Sequence, residues 1–174
     1  HRAAYSGHEA VVNALIEADA DVNKAHNDGR APLYMAAQEG HEAVVKALIE
    51  AGADVNTTDN NGQTALYSAA DKGHDVVVKA LIVAGADVNK SPDSGFSASE
   101  TPLYRAACSG HETVVNALIE AGADVNTTDN NGQTALYSAA DKGHDAVVKA
   151  LIEAGADVNK SPDCGFSASE TPLY

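Results

Sequence analysis

The sequence contains no tryptophan, two phenylalanines and one methionine, and aromatics make up 5% of its 174 residues. Its core has to come from Ala, Val, Leu and Ile, and an apolar share of 44% supplies enough of them. Cysteine is limited to Cys108 and Cys164, too few for a disulfide framework. Basic residues are scarce, with 11 Lys plus Arg against 25 Asp plus Glu and a net charge of −14. A protein this acidic lacks the broad positive surface that holds nucleic acid or anionic lipid, so neither is expected as a partner. No apolar run approaches the ~18 residues of a membrane-spanning helix. No early stretch reads as basic, then apolar, then small, as a secretion signal does. The expected location is intracellular and cytoplasmic.

What the sequence has is repetition. Gly-His occurs at Gly7-His8, Gly40-His41, Gly73-His74, Gly110-His111 and Gly143-His144, at spacings of 33, 33, 37 and 33. Ala-Asp-Val-Asn follows each at a fixed distance, ending at Asn23, Asn56, Asn89, Asn126 and Asn159. A fixed period of this length means stacked supersecondary units in place of one globular core. Four extra residues between Lys90 and Glu100 account for the longer spacing. A second period lies above the first: residues 35–104 and 105–174 align without gaps and differ at eight of 70 positions. The pairs are Met35/Arg105, Gln38/Cys108, Glu39/Ser109, Ala43/Thr113, Lys46/Asn116, Val76/Ala146, Val83/Glu153 and Ser94/Cys164. Tandem duplication explains this, and so does selection for two equal binding patches.

The sequence includes Thr101-Pro102-Leu103-Tyr104-Arg105-Ala106-Ala107, then Gly110-His111, Val114-Val115, Leu118-Ile119 and Gly122-Ala123-Asp124-Val125-Asn126. This arrangement resembles the ankyrin repeat, a family with a period of about 33 residues and the signature Thr-Pro-Leu-His-x-Ala. The resemblance implies an all-α solenoid of helix-turn-helix units with β-hairpin finger loops. The units run over residues 1–30, 31–63, 64–100, 101–133 and 134–170, with 171–174 starting a further one. His1 and Tyr174 fall at the same phase of the repeat. That predicts either a segment of a longer array or a molecule whose ends associate head to tail.

Each motif has a physical reading. Thr64 caps a first helix expected over residues 65–72, and Gly73 ends it. The adjacent Ala69-Ala70 are small enough to let helices approach closely. A second helix is expected over residues 75–84, with Asp75 at its positive end. Val77, Val78, Leu81 and Ile82 form its apolar stripe. Asp59-Asn60-Asn61-Gly62 carries the Asn-Gly hairpin signal at a finger tip. Tyr34, Tyr67, Tyr104, Tyr137 and Tyr174 replace the family's signature His, and each hydroxyl needs a partner or water. Ala31 removes a cap from the second unit, at a cost of about 1 kcal/mol. Asp19 stands where a left-handed Gly is expected, which makes the first unit the loosest.

The residues offer little chemistry. Five of the seven histidines are the Gly-His residues, on layers about 10 Å apart, so one metal cannot gather them. Their expected role is a bond to backbone between units. Cys108 and Cys164 lie two units apart, about 20 Å, and read as free thiols of a reducing compartment. The glycosylation patterns at Asn56, Asn89, Asn126 and Asn159 coincide with the Asn of Ala-Asp-Val-Asn, which is expected to tie the finger's backbone. No nucleophile–base pair or phosphate-cradling loop is recognisable. The protein is read as non-enzymatic, without metal or cofactor.

By the resemblance, finger tips and first helices form a concave contact surface for a protein partner. The finger positions are Asn27, Asp28, Arg30, Asn60, Asn61, Gln63, Asn130, Asn131 and Gln133. The helix positions are Tyr5, Ser6, Gln38, Glu39, Asp71, Lys72, Cys108, Ser109, Asp141 and Lys142. Phe96, in the inserted stretch, either anchors a partner or folds back on a neighbouring finger. Phe166 is its copy. The function this implies is a protein–protein interaction scaffold. Two alternatives stay open: a structural spacer or self-assembling array, and a targeting arm of a larger multidomain protein.

Overall fold

The computed structural model describes residues 1–92 and 98–160, so the expectations for Phe96, Cys164, Phe166 and Tyr174 fall outside the described residues. The elements are α1 Arg2–Tyr5, α2 Glu9–Glu17, α3 Pro32–Gln38, α4 Glu42–Glu50, α5 Ala65–Lys72, α6 Asp75–Val83, α7 Pro102–Cys108, α8 Glu112–Glu120, α9 Ala135–Asp141 and α10 Asp145–Glu153. Odd helices pack on odd neighbours and even on even, while α1/α2, α3/α4 and their successors pair within units. The result is a two-row, all-α solenoid in which each unit meets the units adjacent in sequence.

Local chemistry sets the helix ends. The hydroxyls of Thr64, Thr101 and Thr134 accept from the backbone N–H of Tyr67, Tyr104 and Tyr137. Ala31 starts α3 in the same extended conformation but has no hydroxyl to cap it. Pro32 and Pro102 open α3 and α7, where a missing N–H leaves no helical bond unmade. Asp19 takes a left-handed φ of 56°, the conformation glycine adopts in the other units. The second helix of the third unit stops at Val83, one residue short of expectation, with Ala84 as its cap. Tyr5, Val11 and Leu15 of the first unit remain exposed.

The core runs lengthwise between the rows. Leu33, Leu66, Leu103, Val44, Val78 and Leu118 are fully buried, and the paired alanines Ala36-Ala37, Ala69-Ala70 and Ala106-Ala107 have no exposed surface. Ile82 is half-buried against this core, at the edge of the stripe that buries Val77, Val78 and Leu81.

Two polar devices join the units. His41, His74, His111 and His144 each donate from Nε2 to a carbonyl of the preceding unit, on Tyr5, Gln38, Asp71 and Cys108, at 2.9 to 3.1 Å. A carbonyl only accepts, so Nε2 carries the proton. Each ring lies against the previous unit's Gly-His glycine, where a Cβ would meet it at 2.6 to 2.7 Å. The repeated dipeptide is therefore one contact split across two units. The second device corrects an expectation. The Asn of Ala-Asp-Val-Asn at positions 23, 56, 89 and 126 bridges to the next unit and, among the described residues, does not tie its own finger. Asn56 accepts from Asp87 N at 2.8 Å and donates to the Gly85 carbonyl at 3.2 Å, and Asn23 and Asn126 do the same one unit earlier and two units later.

Two substitutions separate intrinsic strain from lost stacking. Gly85→Ala places a methyl group at φ 88° in open space and is expected to cost about 1–2 kcal/mol. Gly73→Ala has similar strain at φ 74° but also displaces the His111 ring, which adds at least about 1 kcal/mol. Denaturant midpoints of the two variants give the comparison, and equal values would disprove the ring contact's contribution. Separately, Ala31→Thr supplies the missing cap and is expected to raise stability by about 1 kcal/mol in the same assay.

Candidate functional site

Fingers connect each second helix to the next first helix, and a buried aspartate organises the second and the fourth, Asp59 and Asp129. The Asp59 carboxylate accepts from the backbone N–H of Asn61 and of Gln63, both at 2.9 Å, and from Asn61 Nδ2 at 3.2 Å. Its carbonyl accepts from Gly62 N at 3.0 Å, and its N–H donates to the Gln63 carbonyl at 2.9 Å. The carbonyl bond spans a four-residue turn with Asp first and Gly fourth, the residues a type I turn favours. Asn-Gly is thus not the central pair of a two-residue hairpin, contrary to the dipeptide's usual reading. Only one bridging pair, Thr58 with Thr64, follows in antiparallel register. Asp129 repeats the arrangement with Asn131, Gly132 and Gln133, and Thr128 bridges Thr134.

Fingers stack as the helices do. Asn60 donates through N and Nδ2 to the carbonyls of Asp28 and Asn27 at 3.0 and 3.1 Å. Ser99 takes a left-handed φ of 66° where other fingers have Gly, and its hydroxyl donates to Asn130 Oδ1 at 2.9 Å. In the first finger, Asp28 is gripped by Arg30 Nε at 2.8 Å, which holds its carboxyl far below the usual carboxylate range and raises Arg30. The Arg30 guanidinium also lies 5.9 Å from the Tyr34 ring centre and donates to Gln38 Oε1.

The signature tyrosines complete the stack. Tyr34, Tyr67 and Tyr104 are buried, and each hydroxyl reaches the residue ending the next finger: Gln63 at 3.2 Å, Glu100 at 3.1 Å and Gln133 at 3.2 Å. Tyr104 also lies 3.4 Å from Asp129 Oδ2. Burial, with Asp129 adding to it, pushes the Tyr104 phenol up to about 12, and burial raises Tyr34 as well. Sequence reading misses one network. Arg105 bonds Asp71 Oδ1 through Nε at 2.9 Å and reaches Glu100, which also takes the Tyr67 hydroxyl. Burial works against the Arg105 charge, but Asp71 outweighs it and the pKa is raised. A signal is present: Arg105 replaces Met35, which is buried, between the two long copies.

The structure divides the expected contact residues. Asp28, Arg30, Gln38, Gln63, Asp71 and Gln133 are half-buried and occupied by internal bonds, and Cys108 is half-buried with its carbonyl held by His144. Tyr5, Ser6, Asn27, Glu39, Asn60, Asn61, Lys72, Ser109, Asn130, Asn131, Asp141 and Lys142 are exposed. The first group lies in finger stems and along helix sides, with Asp28 near the first finger's tip; the second lies at finger tips and helix ends. Among the described residues, no cluster of three His, Cys, Asp or Glu residues is placed to hold a metal, and no helix is long and apolar enough to cross a membrane.

The elevated Tyr104 phenol has a readable consequence. Its folded pKa of about 12 exceeds the ordinary value of 10.0, so the folded state keeps a proton that the unfolded state loses. Stability from this group is fully present below pH ~10 and is lost as pH rises from ~10 towards ~12. Tyrosinate absorbance of Tyr104→Phe is expected to lack a component that titrates near 12 in the parent protein.

A family model for ankyrin repeats (3 copies) matches residues 1–92 and 78–161. A search of curated proteins returned no significant match. The protein belongs to the ankyrin-repeat family, whose members generally serve as protein–protein interaction modules.

Proposed function

We propose that the exposed finger tips and first-helix ends form the docking surface of a non-catalytic scaffold that binds a protein partner. The observation that carries this is a division of labour along each unit. Lys72, Ser109, Asn131, Asp141 and Lys142 are exposed, and none of their side groups bonds to another unit among the described residues. Their neighbours in the same loops and helices hold the stack. A surface relieved of stacking duty is free to vary and to bind. One of the differences between the long copies, Glu39/Ser109, falls in this row.

Acidic and basic groups adjoin here, as in Asp141-Lys142. The surface therefore suits a partner of mixed polarity, while the net charge of −14 speeds encounter with basic patches. The free thiol of Cys108 supports a reducing, intracellular setting.

Affinity capture compares the parent protein with a variant bearing Lys72→Ala, Ser109→Ala, Asp141→Ala and Lys142→Ala. The expected result is a partner retained by the parent and lost, by about tenfold or more in Kd, from a variant with unchanged melting. Equal retention would sink the reading. Scattering mass that grows with concentration while capture fails would favour head-to-tail self-association instead.

A further inference from the structure

Two asparagines precede glycine in this protein, Asn61 and Asn131, and both sit at finger tips. An asparagine in that position is open to spontaneous deamidation, because the following residue has no Cβ to obstruct ring closure. The glycine N–H loses its proton and the nitrogen attacks Cγ of the asparagine. A new bond forms between Cγ and the backbone nitrogen, the bond from Cγ to Nδ2 breaks, and the departing amide nitrogen takes up a proton in place of the one the glycine lost and leaves as ammonia, closing a five-membered succinimide. Water then adds to either imide carbonyl and opens the ring to aspartate or to an isoaspartyl linkage. Water is the only co-reactant, and no electrons are exchanged.

The folded finger restrains both reacting groups through one residue. Gly62 N donates to the Asp59 carbonyl at 3.0 Å, which holds the nucleophile's proton in place. Asn61 Nδ2 donates to Asp59 Oδ2 at 3.2 Å and its backbone N to Oδ1 at 2.9 Å, which tie the electrophile's amide to Asp59. The second finger is the same: Gly132 N to the Asp129 carbonyl at 3.1 Å, Asn131 Nδ2 to Oδ2 at 3.3 Å and Asn131 N to Oδ1 at 2.8 Å. Asp59 and Asp129 are 8% exposed, so their carboxylates are fixed, whereas Asn61 and Asn131 face solvent.

We infer that Asn61 and Asn131 are paired deamidation sites whose reaction is gated by opening of the finger, with Asp59 and Asp129 as the latches. Reaction exchanges a neutral amide for a carboxylate opposite the latch carboxylate. The isoaspartyl product also inserts a methylene into the backbone between residues 59 and 63 and breaks the Asp59–Gln63 bond. The third finger has Ala98 and Ser99 at the corresponding positions and is not a site. If the docking reading above holds, the modification ages that surface; the latch itself does not depend on that reading.

The test incubates the intact protein near neutral pH and follows deamidation at each tip by peptide mass mapping. A synthetic peptide of residues 57–65 serves as the unfolded reference, and Asn60 and Asn130 serve as exposed asparagines without a following glycine. Asn61 and Asn131 are expected to react about ten- to a hundredfold more slowly in the folded protein than in the peptide, as loss of charge-assisted bonds would imply. Asp59→Ala is expected to bring Asn61 close to the peptide rate while Asn131 stays slow. Equal rates in folded protein and peptide overturn the inference, as does an unchanged Asn61 rate in Asp59→Ala. If both tips accelerate in that variant it has unfolded, and the parent-to-peptide ratio then decides alone. Loss of docking without any change in these rates would count against the docking reading only.

Discussion

The constraint on which this structure depends is that no unit can bury its own apolar face. A unit such as residues 64–89 offers two helices of eight and nine residues, too short to persist alone. Leu66, Val78 and Leu81 lose their water only because neighbouring units cover them. Stability must therefore be cooperative along the array, and any device that fixes the spacing of neighbours acts on every unit at once.

Two such devices recur with little change. The His ring occupies the space that a missing Cβ leaves on the preceding glycine and reaches through to a helix-end carbonyl. That carbonyl belongs to one of the last residues of a first helix, which has no helical partner of its own. The Asn bridge satisfies a backbone N–H on the opposite side of the unit. Together they pin each unit at two separated points, so rotation about the stacking axis is resisted as well as separation. The tyrosine hydroxyls tie each first helix to the base of the finger that leads to the next unit.

These contacts explain why the expected binding residues split into two sets. Gln63 and Gln133 alternate with Arg30 and Glu100 at one finger position, and three of the four either receive a tyrosine hydroxyl or take part in the Arg105 network. Residues at that position face along the stack, which a sequence periodicity of 33 cannot show, since it places Gln63 and Asn61 in the same loop without their directions. Asp71 is legible as a helix-end polar residue. That its partner is Arg105, 34 positions later, follows only once α5 and α7 lie side by side. The Asn of Ala-Asp-Val-Asn escapes local reading for the same reason: its bond partner lies one unit onward, at a distance in sequence that local reasoning does not search.

The sequence alone determined the helices and their order. Threonine caps, glycine stops and apolar spacing are local effects, and each acts within a turn or two of backbone, so they can be read without knowing what lies across the interface. The repeat period determined that units stack on their sequence neighbours. Tertiary structure decided which polar groups were spent in doing so. Hydrogen bonding depends on direction and on separations of a few tenths of an ångström, and those are set by how two rigid helix pairs settle against each other. Until they do, Gly40 and His74, or Tyr104 and Gln133, are merely letters a fixed distance apart.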